Sequence, residues 1–354
     1  MNVILPVAGK SSRFPNLRPK WLLTNPSGNL MIVDSILGLD ITSVDCFYII
    51  YLKEHEDKYS FRFGLNENLK KYGLDSKVTY IELANETANQ VATVRLGLEQ
   101  IQKDISFLIK DCDNFFRCDW PKHTQQNFVS FCNLKNIKSS DVASKSFVDI
   151  NEMGLIANIV EKKIISDKFC CGGYFFESSH QFLQYSNLAS ENLYVSDVVF
   201  NMLLHGKTFI GVECFDYQDW GTANEWKKYK NTFKTLFVDL DGTLVENSAA
   251  YIAPYIGQTS QLPKNVSVLK KLIATKRVEV IITTSRPEEY RAITEAQLKD
   301  LGIEYRHLLM GLQHSQRVII NDYGQSNPYK SCDAINLERN KDNLEQYLAE
   351  WKED

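Results

Sequence analysis

The chain has 354 residues, is 44% hydrophobic and 24% charged, and carries a formal net charge of −4. A single hydrophobic core does not grow to that length, so two domains of ordinary globular composition are expected. The charge balance excludes a general nucleic-acid binder, which shows a basic face, and with no apolar run of roughly 18 residues there is no candidate membrane span.

Eight cysteines (Cys46, Cys112, Cys118, Cys132, Cys170, Cys171, Cys214 and Cys332) form no C-x-x-C pair, so neither a zinc site nor a disulfide framework is expected. The first residues lack the basic leader and long apolar core of a signal peptide, which makes a reducing cytoplasm the expected compartment.

In chain order, a hydrophobic strand over 3–7 runs into a loop of small and basic residues, Ala8-Gly9-Lys10-Ser11-Ser12-Arg13, followed by Arg18-Pro19-Lys20. Small residues let backbone N–H groups approach phosphate oxygens while cationic side chains neutralise charge, so the stretch reads as a triphosphate cradle. It is not a P-loop, because that motif needs a glycine five residues before Gly9 and Ile4 stands there. A helix is expected over 31–39 and strands over 46–52 and 78–83. Helical spacing returns over 86–100, with Val91, Val94, Leu98 and Ile101 on one face. The turn before it, Asn85-Glu86-Thr87-Ala88-Asn89, admits two readings: a plain helix cap through Thr87 or Asn85, or a contact to a nucleotide.

An apolar strand over 105–109 then ends in Lys110-Asp111-Cys112-Asp113-Asn114. Carboxylates at a strand's C-terminal edge are placed to hold Mg2+ against phosphate oxygens. Further on come Ile159-Val160-Glu161-Lys162-Lys163, the glycine-aromatic strand Cys171-Gly172-Gly173-Tyr174-Phe175-Phe176, and a helix over 191–205 with Val195, Val198, Val199, Met202 and Leu203 as its buried stripe. Asp219-Trp220-Gly221-Thr222 closes the region. Alternating strands and helices imply a parallel sheet covered on both sides.

After a polar, basic stretch over 226–232 the pattern restarts with a strand over 236–238 and Asp239-Leu240-Asp241-Gly242-Thr243. Aspartates two apart on a strand end point the same way, and Gly242-Thr243 allows a sharp exit that exposes both. A β-branched run over 278–283 ends at Thr284-Ser285-Arg286, and Val318-Ile319-Ile320 reads as a further strand ending at Asn321-Asp322. Helices over 266–275 and 288–301, the latter closed by Gly302, complete a small doubly wound sheet. The expected domains are 1–231 and 232–354.

The first set of motifs resembles the nucleotidyltransferases that activate sugar phosphates and alcohol phosphates, whose signature is roughly G-x-G-x-R followed by P-K. Gly9, Arg13, Pro19 and Lys20 carry the match, with Ser11 at the second glycine. The resemblance covers about the first 230 residues and implies a Rossmann-like (GT-A-like) mixed sheet. It implies that Ala8, Gly9, Ser11, Ser12, Arg13 and Lys20 bind the nucleotide, that Arg13 and Lys20 stabilise charge at the attacked phosphorus, and that Thr87 and Ala88 lie in the base-recognition segment. Asp113, favoured over Asp111 by the Asp-Asn-x-Phe pattern, and Asp219 would hold Mg2+. Glu161, Lys162 and Gly173 would contact the acceptor, although Lys163 replaces the family's usual proline.

The second set resembles the haloacid dehalogenase superfamily. That likeness implies Asp239 as nucleophile, Asp241 as general acid and base, Thr284 as a ligand of the transferred phosphoryl group, and Asp322 with Asp239 and Asp241 at a second Mg2+. The superfamily's third-motif lysine has no clear counterpart; Arg317 and Lys330 are the nearest candidates. The 42 positions between Asp241 and Thr284 leave no room for a large cap, so cover from the first domain or a partner subunit is expected.

Together the motifs imply a bifunctional cytoplasmic enzyme. Its partners would be an NTP, with CTP weakly favoured, and a phosphorylated sugar, polyol or amino alcohol destined for a capsule or other surface polysaccharide. No nucleic acid or membrane partner is expected, and a homo-oligomer is left open. Two rivals stay in view: a glycosyltransferase, since D-x-D also serves sugar-nucleotide binding there, and a nucleotidyltransferase with a non-catalytic second domain.

Overall fold

The computed structural model describes residues 1–9, 11, 13–14, 17–119, 126–136, 144–188, 193–248, 256–322 and 332–348. Ser12 and Lys330 lie outside the described residues. The chain divides into two compact units, Met1–Tyr229 and Lys230–Asp354.

A strand buried on both faces must be apolar at nearly every position, and β1 (Asn2–Pro6) and β2 (Cys46–Leu52) meet that condition. Val3 and Leu5 enter one core and Ile4 the other; Phe47, Ile49 and Tyr51 join the first while Ile50 and Leu52 join the second. This is the two-residue period of a strand. Next come β3 (Val78–Leu83), β4 (Phe107–Lys110), β5 (Asn114–Cys118), β6 (Asn127–Asn133), β7 (Ser146–Ile150), β8 (Ile156–Glu161), β9 (Lys168–Phe176) and β10 (Phe209–Asp219). They form one ten-stranded sheet in the order β3-β2-β1-β4-β9-β6-β10-β5, with the β7–β8 hairpin attached through β9.

The first four strands are parallel, as the alternating pattern implied. The other half is mixed: β9 runs antiparallel to β4 and β6, and β5 antiparallel to β10.

The scattered cysteines become neighbours in this half. Cys171, Cys132, Cys214 and Cys118 sit on the adjacent strands β9, β6, β10 and β5, and Cys214 faces Cys118 in register. All four are free thiols in the first core, where cysteine serves as a small apolar filler.

Several expected helices have different ends. The helix near 86–100 spans Gln90–Ile101, and its cap is Asn89, whose side chain accepts from the Ala92 N–H, and not Thr87 or Asn85. The helix expected over 31–39 stops at Ile36. That over 191–205 is described from Val195 to Leu204, and residues 189–192 lie outside the description. The polar stretch over 226–232 lies largely in a helix, Ala223–Asn231, because Trp226 is an anchor: it is buried with Phe14, Leu23, Met31 and Trp220 and donates to Asn25 Oδ1 at 3.0 Å.

In the second unit β11 (Lys234–Asp239), β12 (Val278–Thr283) and β13 (His307–Leu309) form a parallel sheet in sequential order. Its crossovers contain the helices Pro263–Ala274 and Arg291–Leu301, the second closed by Gly302 at φ +65°. Crossovers of one hand between sequential strands put both helices on one face. The described residues are therefore singly wound, not doubly wound. The expected strand over Val318–Ile320 is the missing half: among the described residues it pairs with no strand, and Ile320 is 93% exposed. Strand propensity needs a neighbour and a surface to cover, and neither meets this run.

Candidate active site

At the end of β1 the chain leaves the sheet through Ala8 and Gly9. Ser11 adopts φ +51°, the left-handed region that favours glycine, at the position where the signature has its second glycine. Its hydroxyl accepts from the Lys20 backbone N–H at 3.1 Å, and its carbonyl from the Phe14 N–H at 2.8 Å. Buried Phe14 ties the loop to Trp220 and Trp226. Arg13 and Lys20 flank this tie on either side.

Asp113 sits in the turn between β4 and β5, which is built around an unusual residue. Lys110 is fully buried; its ammonium donates to Asn114 Oδ1 at 2.6 Å and to the carbonyls of Asn114 and Asp111, and lies 4.6 Å from the Phe116 ring centroid. Burial pushes the Lys110 pKa down, and the surrounding oxygens compensate the charge. Asp111 points inward and accepts from Gln90 at 2.6 Å; burial, with the Asp113 charge beside it, pushes it up to about 6. Asp113 has other partners. Burial alone would raise its pKa, but Lys20 and Arg13 outweigh that and hold it well below the ordinary carboxylate range. Lys20 Nζ contacts Asp113 Oδ2 directly, and Arg13 Nη2 reaches it at 3.3 Å.

Asp219 ends β10, opposite Asn114 in the register with β5. Gly221 N–H donates to its Oδ1 at 2.8 Å, and the Trp220 N–H donates to the Asp113 carbonyl at 2.9 Å. A Cβ on Gly221 would lie 3.0 Å from Asp219 Oδ1, 3.4 Å from Arg13 Nη1 and 3.5 Å from Asp113 Oδ2. Both carboxylates and the guanidinium thus surround one point where the chain has only a glycine. Lys145 was not singled out from the sequence, yet its ammonium contacts Asp219 Oδ2 and donates to the Tyr217 hydroxyl at 2.9 Å. A lysine just before a strand carries no motif, so only the fold could find it.

The remaining expected residues lie on nearby elements. Glu161 ends β8 and accepts from Ser146 and, at 2.8 Å, from Ser196. Lys162 follows at φ +53°, and its ammonium donates to the Tyr194 hydroxyl and lies 4.3 Å from that ring's centroid. Gly173 has a packing reason to be glycine, since a Cβ there would come within 2.4 Å of Ser130 Oγ. Thr87 exchanges a hydrogen bond with Thr93 at 2.6 Å, and Ala88 is exposed.

Among the described residues, no group of three or more histidine, cysteine, aspartate or glutamate side chains is placed to hold a metal ion. Asp113 and Asp219 nonetheless fit Mg2+, which takes hard oxygen donors, commonly one or two carboxylates plus phosphate oxygens and water.

In the second unit Asp239, Asp241 and Thr284 come together and Asp322 does not join a strand end. Thr284 Oγ1 donates to Asp241 Oδ2 at 3.1 Å. Asp241 is also gripped by Arg286, with Nη2 to Oδ1 at 2.7 Å and Nε to Oδ2 at 2.9 Å. Arg286 is itself buried and anchored by Thr294 and Gln297. Both oxygens of the Asp241 carboxylate, the expected general acid and base, thus already face a fixed guanidinium. Asp239 remains exposed as a residue, but partial burial of its carboxyl and the nearby Asp241 charge push it up to about 6, against the pull of Arg317 and Arg339.

No family model matches the chain, and no curated protein matches it in sequence. Solved structures do. A nucleoside-diphosphate-sugar pyrophosphorylase from Vibrio cholerae RC9 is 19% identical with a TM-score of 0.54, over 65% of this chain and 99% of that one. An inositol-1-phosphate CTP transferase from T. maritima is 15% identical with a TM-score of 0.51, over 64% of this chain and 93% of that one. A UDP-glucose pyrophosphorylase complexed with UDP-glucose is 13% identical with a TM-score of 0.52, over 65% of this chain and 97% of that one. Over about 65% of its length, then, this chain has the mixed-sheet α/β fold of the nucleotidyltransferases.

Proposed function

We propose that the first unit transfers a nucleotidyl group from an NTP, with CTP weakly favoured, to the phosphate of a sugar, polyol or amino alcohol and releases pyrophosphate. The observation that carries this reading is the convergence of Asp113, Asp219 and Arg13 around the point beside Gly221, with Lys20 on Asp113. An acceptor phosphate oxygen would form a bond to the α-phosphorus as the bond to pyrophosphate breaks. Arg13 and Lys20 would neutralise charge developing on the leaving group, while Asp113 and Asp219 would hold Mg2+. When bound, that ion supplies charge neutralisation and orientation of phosphate oxygens.

Such a reaction distinguishes itself by its product. Pyrophosphate release measured with each of the four NTPs against a panel of sugar, polyol and amino-alcohol phosphates, followed by mass spectrometry, tests it. Release of a nucleoside diphosphate from a nucleotide sugar would favour the glycosyltransferase reading instead. A precursor of a capsule or other surface polysaccharide is the product class that pairing with a phosphatase suggests.

For the second unit the motif likeness supports phosphate-ester hydrolysis through an aspartyl-phosphate at Asp239. The Arg286–Asp241 pair is a specific observation for the other reading, a domain that binds or scaffolds without turnover. Phosphate release that disappears in Asp239→Asn supports hydrolysis; its absence in the unaltered chain supports the scaffold.

A further inference from the structure

Two lysines reach the carboxylate pair, and they arrive on different segments. Lys20 belongs to the segment that follows the glycine-serine loop and contacts Asp113. Lys145 belongs to the β7–β8 hairpin and contacts Asp219. Its carbonyl accepts from the Lys162 N–H at 3.0 Å, and the next residue, Ser146, pairs with Glu161. Glu161 in turn accepts from Ser196, which fixes this end of the hairpin against the helix Val195–Leu204. The Lys145 side chain is only 16% exposed, and its ammonium is steered by the Tyr217 hydroxyl at 2.9 Å. This is a positioned charge, unlike a surface lysine that samples solvent.

In-line transfer brings two anions together, a triphosphate and an acceptor phosphate, and their repulsion must be offset from both sides. Arg13 and Lys20 stand on the loop side. We infer that Lys145 binds the acceptor's phosphate group, leaving Asp219 to the divalent ion as the substrates enter. The inference rests on the nucleotidyl-transfer reading and adds to it the residue that receives the second substrate's charge.

The test is calorimetric and uses the full chain. Unaltered protein, Lys145→Gln and Lys145→Arg are each loaded with Mg2+ and the α,β-methylene analogue of the preferred nucleotide, then titrated with inorganic phosphate as probe of the acceptor subsite. Losing one charge-assisted hydrogen bond should weaken phosphate binding about tenfold or more in Lys145→Gln, and about threefold or less in Lys145→Arg. Affinity for the analogue should stay within about twofold in both variants, which also shows that they are folded. In turnover, Lys145→Gln should raise the KM for the acceptor far more than that for the NTP. Unchanged phosphate affinity in Lys145→Gln, an equal loss for the analogue, or no phosphate binding by an unaltered chain that binds the analogue overturns the inference. An unaltered chain that binds no nucleotide analogue overturns the underlying reading as well.

Discussion

The two carboxylate pairs of this chain are built in opposite ways. Asp113 and Asp219 are remote in sequence and meet because β5 pairs with β10; their counter-charges, Arg13, Lys20 and Lys145, come from other segments and keep side-chain exposures of 55%, 22% and 16%. Asp239 and Asp241 are two residues apart and need only one strand end, yet Asp241 is clamped by an Arg286 side chain that is 2% exposed. A short motif decides which way two carboxylates point. It does not decide whether their oxygens are free.

The sharpest way to break the comparison is to neutralise one member of the first pair. Asp219→Asn should lower pyrophosphate release about a thousandfold, since it removes a proposed metal ligand, and should leave phosphate release by the second unit unchanged. Equal loss of both activities would mean that the two sites are not independent.

Stability separates them next. Arg286→Ala takes the buried guanidinium from the partly buried Asp241 and should destabilise the second unit by about 2 kcal/mol, read as a lower midpoint in urea. Lys110→Met removes a buried ammonium that holds Asn114 Oδ1 and two carbonyls, and should cost the first unit about 3 kcal/mol, since each stranded acceptor carries a desolvation penalty. The two losses should appear in different unfolding transitions if the units melt separately.

A smaller effect concerns pH. The folded pKa of Asp239 is raised from 3.8 to about 6, so the folded state binds this proton more tightly than the unfolded one. Its contribution to stability is full below 3.8 and falls as pH rises to about 6. Asp239→Asn should flatten that part of the second unit's stability profile. If the carboxylate is a nucleophile, phosphate release in the unaltered chain should rise over the same interval, because only the ionised form attacks.

The smallest change is expected for Ser11→Gly. Relief of the left-handed conformation, about 1 kcal/mol, is offset by loss of the hydroxyl that accepts from Lys20. Stability should move by less than about 1 kcal/mol, and nucleotide affinity by less than about threefold. A large loss of affinity would show that the Ser11 hydroxyl itself contacts the ligand.

Much of the fold was legible because burial on both faces leaves a plain record: 46–52 reads as an unbroken apolar run, and β2 is that run. The run Val318-Ile319-Ile320 looks the same locally and forms no strand, since a strand exists only with a partner. The loop before Lys20 and the acids at 113 and 219 were visible as types and order. Arg286 was seen only as a neighbour of Thr284, because no local rule says that a guanidinium will turn back onto Asp241. Lys145 was not seen at all.

By itself the sequence determined the strands that are apolar throughout, the positions of turns rich in glycine and serine, and the acids that close sheet edges. These follow from side-chain size, charge and a period of two, all local properties. Only the tertiary structure decided which charges meet: the pairing of β5 with β10 set Asp113 beside Asp219, the hairpin start brought Lys145 to Asp219, and the buried Arg286 occupied Asp241. Coulomb attraction and hydrogen bonding act over a few ångströms of space regardless of the length of chain between, so such partners carry no mark in the sequence around them.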